Sequence, residues 1–483
     1  MIRFDKAINT YYLCAKEDDR FSKHTPFHGM CLNSTGGTRI LCSRDGKVIV
    51  LGYCVDAYGE WADDRIADEL AGLDPLVFNK AIDRLAGEFV IFVEFSSGEV
   101  RVYNDAISII PIVYDSDRVA SNEKFIAEEK GYAIASYMPE LISGGYANRN
   151  TKPGCMTGYS EIHYLLANHY LDFDKGVSVR YFPRENLAVC GSETSFNALM
   201  DRVIFLETNI LRSLIRLSPL RAGLTSGTDS RLLLAMMSVA IPDELRNVSF
   251  FTIDYGNLND NKVSRMLSSN LSLKHSILEA RKAPEALVSE LARLLPEDEN
   301  VEGDKLWSIY SQMPGFEFCL GGAIVDQIAK SGKFSDFPEW IITPTFCTAV
   351  FGHSSNVALK EMKKWYKGTK PKAYGYSMGD LDAWEFRCGR WIGVNAHPYA
   401  LMGMPMFNSW NCREIIDIFC KIPRKTRAKK AIHKALISKA RPDLLEIPFN
   451  GGAKPISTIR HVLTYLAKFY LARAGVLKYV KPY

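Results

Sequence analysis

The 483-residue sequence has no CxxC pair, no internal repeat and no low-complexity tract. Its 11 cysteines are scattered from Cys14 to Cys420, which excludes a patterned disulfide framework and points to reduced thiols. None of the 9 histidines stands at ligand spacing beside them, so no zinc site is expected. Charge of one sign is also missing: 59 Lys and Arg against 55 Asp and Glu leave a formal net charge of +4. That balance gives no electrostatic case for a nucleic-acid partner. No run reaches the roughly 18 apolar residues of a membrane span. The opening MIRFDKAINTYYL lacks the apolar core of a signal peptide. A soluble, cytoplasmic protein without a transmembrane segment is the expectation.

What is present suffices for two cores, since 47% of the residues are hydrophobic and 24% are charged. The first third is β-rich. Hairpin signals stand at Arg44-Asp45-Gly46, Ser96-Ser97-Gly98 and Asp174-Lys175-Gly176. Helical spacing runs from Ala67 to Leu85, and 137–158 is loop-like. After Pro183-Arg184-Glu185 the pattern changes. A helix from Ser195 to Leu217, a strand in SPLRAGLTS, a helix from Asp229 to Ala240, a strand in NVSFFTI and a helix from Asn261 to Leu271 follow one another. Such alternation predicts a parallel sheet with crossover helices, preceded by an α+β sandwich. The predicted division is 1–185, 186–456, and a basic amphipathic C-terminal helix over 457–483.

The segment Leu224-Thr225-Ser226-Gly227-Thr228-Asp229-Ser230 lies where a buried strand gives way to a helix. Small and hydroxyl-bearing residues let the backbone approach an anion, and the N–H groups of a helix start donate to phosphate oxygens. Asp229 has two open roles there, as a helix cap or as a ligand holding Mg²⁺ against phosphate. A capped turn without any ligand is the plain alternative for the whole segment.

These residues resemble the SGGxDS pyrophosphate loop of the asparagine synthetase superfamily, with Gly227, Asp229 and Ser230 identical, Thr225 for Ser and Ser226 for the first Gly. Upstream, Leu85-Ala86-Gly87-Glu88-Phe89 resembles the family's LxGxF. The stretch from Asp105 through Pro111 to Tyr114 resembles its DxxGxxPLYY, with Ser108 in the glycine position, and Val119-Ala120-Ser121 resembles the FAS that follows. Near the other end, Lys429 to Pro455 is similar to a basic helix followed by LP and RxKxG. The resemblance implies a degenerate glutaminase-like sandwich of the N-terminal-nucleophile (Ntn) type. It further implies an ATP-pyrophosphatase domain of the adenine nucleotide alpha hydrolase kind, using ATP and Mg²⁺. The loop Leu224–Ser230 would bind the nucleotide's phosphates, Asp229 would ligate the metal, and Thr252 would flank the adenine.

Departures from the pattern qualify the chemistry. Glutamine-dependent members begin Met-Cys, and this chain has Ile2; Cys31 is internal and fits a buried thiol. Glutaminase activity is therefore not expected, as in β-lactam synthetases and lasso-peptide cyclases, which use an amine already in the substrate. The family's SGEGSDELFGG string finds its counterpart at Thr343–Gly352, where Thr348 and Ala349 replace the acidic pair. The RxKxG lysine falls on Asn450, with Lys454 nearby as a substitute. His353-Ser354-Ser355-Asn356 and the acidic run at Glu297-Asp298-Glu299, Glu302 and Asp304 fit polar loops. The basic run Arg424 to Lys430 fits a solvated helix face better than an anion contact. The tail, with Val462, Leu463, Leu466, Phe469 and Tyr470 at helical spacing, suits docking on the protein's own core or a membrane surface. Two functions remain open: an AMP-forming ligase joining a small-molecule, sugar or peptide carboxylate to an amine, and a non-catalytic nucleotide-binding scaffold.

Overall fold

Alternation along the strands sets the architecture of the N-terminal part. The computed structural model describes residues 7–145, 152–296, 303–330, 337–449 and 458–476. One antiparallel sheet runs His163–Tyr164, Val113–Tyr114, Val119–Ala120, Tyr11–Cys14, Met30–Ser34, Lys23–Phe27. A second runs Val177–Arg180, His169–Asp172, Val100–Asn104, Leu85–Glu94, Val48–Asp56, Ile40–Cys42. Successive side chains on a strand face opposite sides. Hence Tyr11, Leu13, Ile49, Leu51, Val90 and Phe92 fill one core, while Tyr12, Val48, Val50, Phe89 and Ile91 join another that extends through the helical part. Burial on both faces explains why Leu85–Glu94 reads as a nearly unbroken apolar run.

All three expected hairpin turns form, with Gly46, Gly98 and Gly176 at positive φ where the chain reverses. The continuous helix expected from Ala67 to Leu85 does not. It is divided into Ile66–Leu70 and Pro75–Ala81, and Leu85 already starts a strand. Pro75 lacks a backbone donor, and Asp74 caps a new helix by accepting from Leu76 and Val77 N–H. Within the loop-like stretch, Met138–Gly144 is a helix.

Beyond Arg180 the chain builds a wholly parallel sheet, in the order His275–Glu279, Ser249–Asp254, Leu220–Gly223, Phe318–Leu320. The fold is thus mixed α/β. The long helix Glu193–Leu217 begins at a Ser192–Ser195 capping box and packs against Val48–Asp56 on one side and Thr228–Ala240 on the other. A buried ion pair ties the two parts: Arg180 Nη1 stands 2.6 Å from Glu385 Oε1. Trp365 Nε1 donates to the same carboxylate at 2.7 Å and Asn168 Nδ2 at 3.2 Å. Burial alone would raise that carboxyl's pKa, but Arg180 outweighs it and holds Glu385 below the ordinary range.

The C-terminal helix Thr458–Arg473 lies along Pro344–Phe351, with Tyr465 edge-on to Phe346 and Phe469 buried. Val462 and Leu466 turn inward, whereas Leu463 and Tyr470 are exposed. Among the described residues, no helix is long and apolar enough to cross a membrane.

Candidate functional site

Strand order places the candidate site. From Leu220–Gly223 the chain moves outward through Ser249–Asp254 to His275–Glu279, then returns to the opposite side of the first strand at Phe318–Leu320. Ligands of open parallel sheets bind beyond the carboxyl ends of the strands, where the order reverses. Here the two segments flanking that crevice are Leu224–Ser230 and Gly321–Lys330.

The loop is held from within. Leu224 is buried and its N–H continues the ladder to Phe251 O at 2.7 Å. Thr225 N–H donates to Ser230 Oγ at 3.2 Å, and Gly227 N–H to Thr225 Oγ1 at 3.2 Å. Ser226, expected as a phosphate donor, is fully buried, and both its N–H and its hydroxyl bind Asp260 Oδ1. Thr252 is also buried. Its hydroxyl donates to Leu224 O and lies 2.9 Å from His275 Nε2, so it fastens the loop to the sheet rather than facing a cavity. Gly227 and Thr228 stay partly accessible. The helix Thr228–Ala240 has Gly227 at its N-cap and no side-chain cap, which leaves first-turn N–H groups for another acceptor. A cleft of about 830 Å³ opens beside Thr228, and Lys430, His433 and Lys434 line its far wall with Phe449.

Asp229 does not cap the helix. Its carboxylate lies 2.7 Å from Lys330 Nζ and 2.9 Å from His433 Nε2. Burial pushes the Asp229 pKa up, but the His433 hydrogen bond and the Lys330 charge outweigh it, and the group is held below its ordinary range. Lys330 also reaches Asp326 Oδ1 at 3.1 Å, so one ammonium bridges two carboxylates. His433 is fully buried, and burial lowers its pKa against the opposing pull of Asp229.

Thr343–Gly352, the expected counterpart of the acidic string, is a capped helix. Thr348 and Ala349 are buried in the helix Pro344–Phe351, where Thr348 Oγ1 donates to Pro344 O and Gly352 ends the helix at φ 94°. That Phe-Gly match reflects ordinary helix termination. The segment facing Asp229 is instead Leu320-Gly321-Gly322-Ala323-Ile324-Val325-Asp326-Gln327. A Cβ on Gly322 would sit 3.3 Å from Asp229 Cβ, so glycine permits the approach of the two segments. A three-residue strand gave too little pattern for this to be found beforehand.

Mg²⁺ is commonly held by one or two carboxylates together with substrate phosphates. Asp229 and Asp326 suit such a role, with the Lys330 ammonium competing for the same oxygens. Among the described residues there is no group of three or more His, Cys, Asp or Glu side chains positioned to hold a metal without such phosphates.

Other expected residues are structural. Cys31 is buried in Met30–Ser34 with its thiol pKa raised by burial, and no cysteine is paired. Asp304 accepts the Ala283 N–H, and Ser355 caps Asn356–Thr369. In the basic run, Arg427 is buried, donating to Ile422 O and Ile328 O and pairing with Asp380. Arg231, unnoticed in the sequence, donates to the Leu444, Ile447 and Pro448 carbonyls and lies 3.7 Å from the Phe449 ring centroid. It thereby fixes the segment leading to Asn450. Ile2, Glu297, Asp298, Glu299, Glu302, Asn450 and Lys454 lie outside the described residues.

No family model and no curated protein matches the sequence. Among solved structures 36 chains match. One is an NH3-dependent NAD synthetase from Campylobacter jejuni in complex with the nitrate ion. It shares 13% identity at a TM-score of 0.19, over 28% of this chain and 60% of that one. Another is a glutamine-dependent NAD+ synthetase from Acinetobacter baumannii in complex with adenosine diphosphate. It shares 9% identity at a TM-score of 0.20, over 41% of this chain and 43% of that one. In both cases less than two thirds of the solved chain is spanned.

Proposed function

We propose that the chain is an ATP-dependent, AMP-forming ligase that joins a carboxylate to an amine, with no glutaminase step. The observation that carries this is the uncapped start of Thr228–Ala240 at the strand-order reversal, with a cleft beside Thr228 whose lining includes Lys430, His433 and Lys434. Triphosphate oxygens would take the first-turn N–H groups at Thr228 and Asp229 and the two lysines. Asp229 and Asp326 would hold Mg²⁺ once Lys330 yields their oxygens; the metal would supply charge neutralisation on the phosphates. A carboxylate oxygen attacks the α-phosphorus and pyrophosphate leaves. The amine nitrogen then attacks the acyl carbon, loses a proton, and AMP departs. Residues 1–185 serve as a glutaminase-like scaffold without the nucleophile. Purified protein with labelled ATP and a panel of uronic acids, amino acids and peptides tests this. AMP and pyrophosphate are expected, and ADP with phosphate would refute it.

One observation favours a second reading, a nucleotide-binding protein without turnover. Lys330 already neutralises Asp229 and Asp326, and Asp260 already engages Ser226. Calorimetry of ATP with and without Mg²⁺, on wild type and Asp229→Ala, separates the two. Tight binding independent of Mg²⁺ supports the scaffold, and binding that needs Mg²⁺ and Asp229 supports the enzyme.

A further inference from the structure

The helix Thr458–Arg473 carries two apolar faces, and the protein's own core takes one of them. Val462, Tyr465 and Leu466 pack against that core and Phe469 is buried. On the outward side Leu463, Ala467, Tyr470 and Leu471 follow at i, i+4, i+7 and i+8, and all four are exposed. Leu463 and Tyr470 are each 59% exposed and Leu471 44%. A solvated helix face ordinarily holds polar and charged residues at such positions. At 100° per residue, Lys468 and Arg473, also exposed, flank the stripe on its two sides. An outward apolar stripe with a charged rim marks an interaction surface.

Charge identifies the occupant. Residues 447–483 hold six Lys and Arg and no Asp or Glu. The helix Asn356–Thr369 packs on the same Pro344–Phe351 helix, and Arg473 Nη2 donates to Asn356 Oδ1. Over 356–372 the sequence has six lysines against the single acid Glu361. The positive excess of these two stretches is larger than the whole chain's net charge of +4, so the remaining residues are net acidic. The basic excess is thus gathered in two stretches that meet at Arg473 and Asn356.

We infer that the outward face of Thr458–Arg473 docks the protein on an anionic membrane surface. Lipid headgroups would attract the lysines and arginines, and the boundary of the acyl region would take Leu463, Leu471 and the Tyr470 ring. The helix has 16 residues, and among the described residues none is long and apolar enough to cross a bilayer, so it would lie in the interfacial plane. A second copy docked here about a two-fold axis would instead set each basic stretch against its own duplicate. Neither nucleotide binding nor turnover is required.

Co-sedimentation of the full chain, without nucleotide, with vesicles of phosphatidylcholine alone and with about 30% phosphatidylserine tests the assignment. Binding to the anionic vesicles is expected to be at least tenfold tighter, and to weaken as salt is raised. Leu463→Ser combined with Leu471→Ser is expected to weaken it at least tenfold, with an unchanged urea-unfolding midpoint because both side chains are exposed. Lys468→Glu is expected to weaken it at least threefold, and decides alone if the serine pair shifts that midpoint. Equal binding to both vesicle types, or none, would overturn the proposal. A serine pair that binds like wild type would also overturn it, since a general polyanion site has no use for the apolar stripe. So would a wild-type dimer in sedimentation velocity that the serine pair dissociates.

Discussion

Lys330 governs what the loop carboxylates do. It sits 2.7 Å from Asp229 and 3.1 Å from Asp326, the two carboxylates proposed to hold Mg²⁺. Lys330→Met removes the competitor. Mg²⁺ affinity in the presence of ATP is expected to rise tenfold or more, read by calorimetric Mg²⁺ titration. An unchanged affinity would show that the ammonium does not occupy the metal position. Glu207 makes a different residue-scale prediction. It is fully buried on Glu193–Leu217, and burial raises its carboxyl to about 8, against the opposing hydrogen bond from Ser409. A folded-state pKa above the unfolded value means the stability contribution is complete at low pH and is lost as pH rises through about 8. Wild type should therefore lose stability on the order of 3 kcal/mol between pH 5 and pH 8 through this group. Glu207→Gln should flatten that loss, as followed by urea unfolding at both pH values.

Elements were legible where their signals are local. Asp45-Gly46 announces a hairpin because the turn geometry demands a left-handed residue at that position, whichever strands flank it. Thr228–Ala240 and Glu193–Leu217 were likewise found within a few residues of their ends. Phe318–Leu320 was not. Its identity as a strand comes from pairing with Leu220–Gly223, almost a hundred positions away, and no local pattern encodes that partner. With that strand unseen, Asp326 and Lys330, which follow it, carried no signal in the sequence. The loop was half legible: its location was found, but the buried role of Ser226 depends on Asp260, which sequence spacing does not connect to it. Arg231 acts at the same scale, joining the first turn after the loop to three carbonyls near 444–448. Arg231→Met leaves those acceptors without their donor. A loss of about 3 kcal/mol is expected, with amide exchange rising first at Leu444–Phe449, as mass spectrometry of deuterium uptake would show.

At the scale of the whole molecule, the C-terminal helix is part of the core it covers. Phe469 is 1% exposed and Tyr465 meets Phe346, so the inward face is satisfied by the protein itself. Phe469→Ala is expected to cost about 3 kcal/mol in global stability, measured by denaturant unfolding. A cost below about 0.5 kcal/mol would mean that the helix is only loosely docked.

The Arg180–Glu385 pair has a broader effect. Its carboxylate also receives Trp365 and Asn168, and Arg180 Nη2 reaches Thr369 at 2.8 Å, all in a buried setting. Parting the halves would strand opposite charges away from water, at roughly 3–5 kcal/mol for a broken buried pair. A calorimeter should accordingly record one endotherm, not two, and fragments severed near residue 185 should recover structure only when mixed.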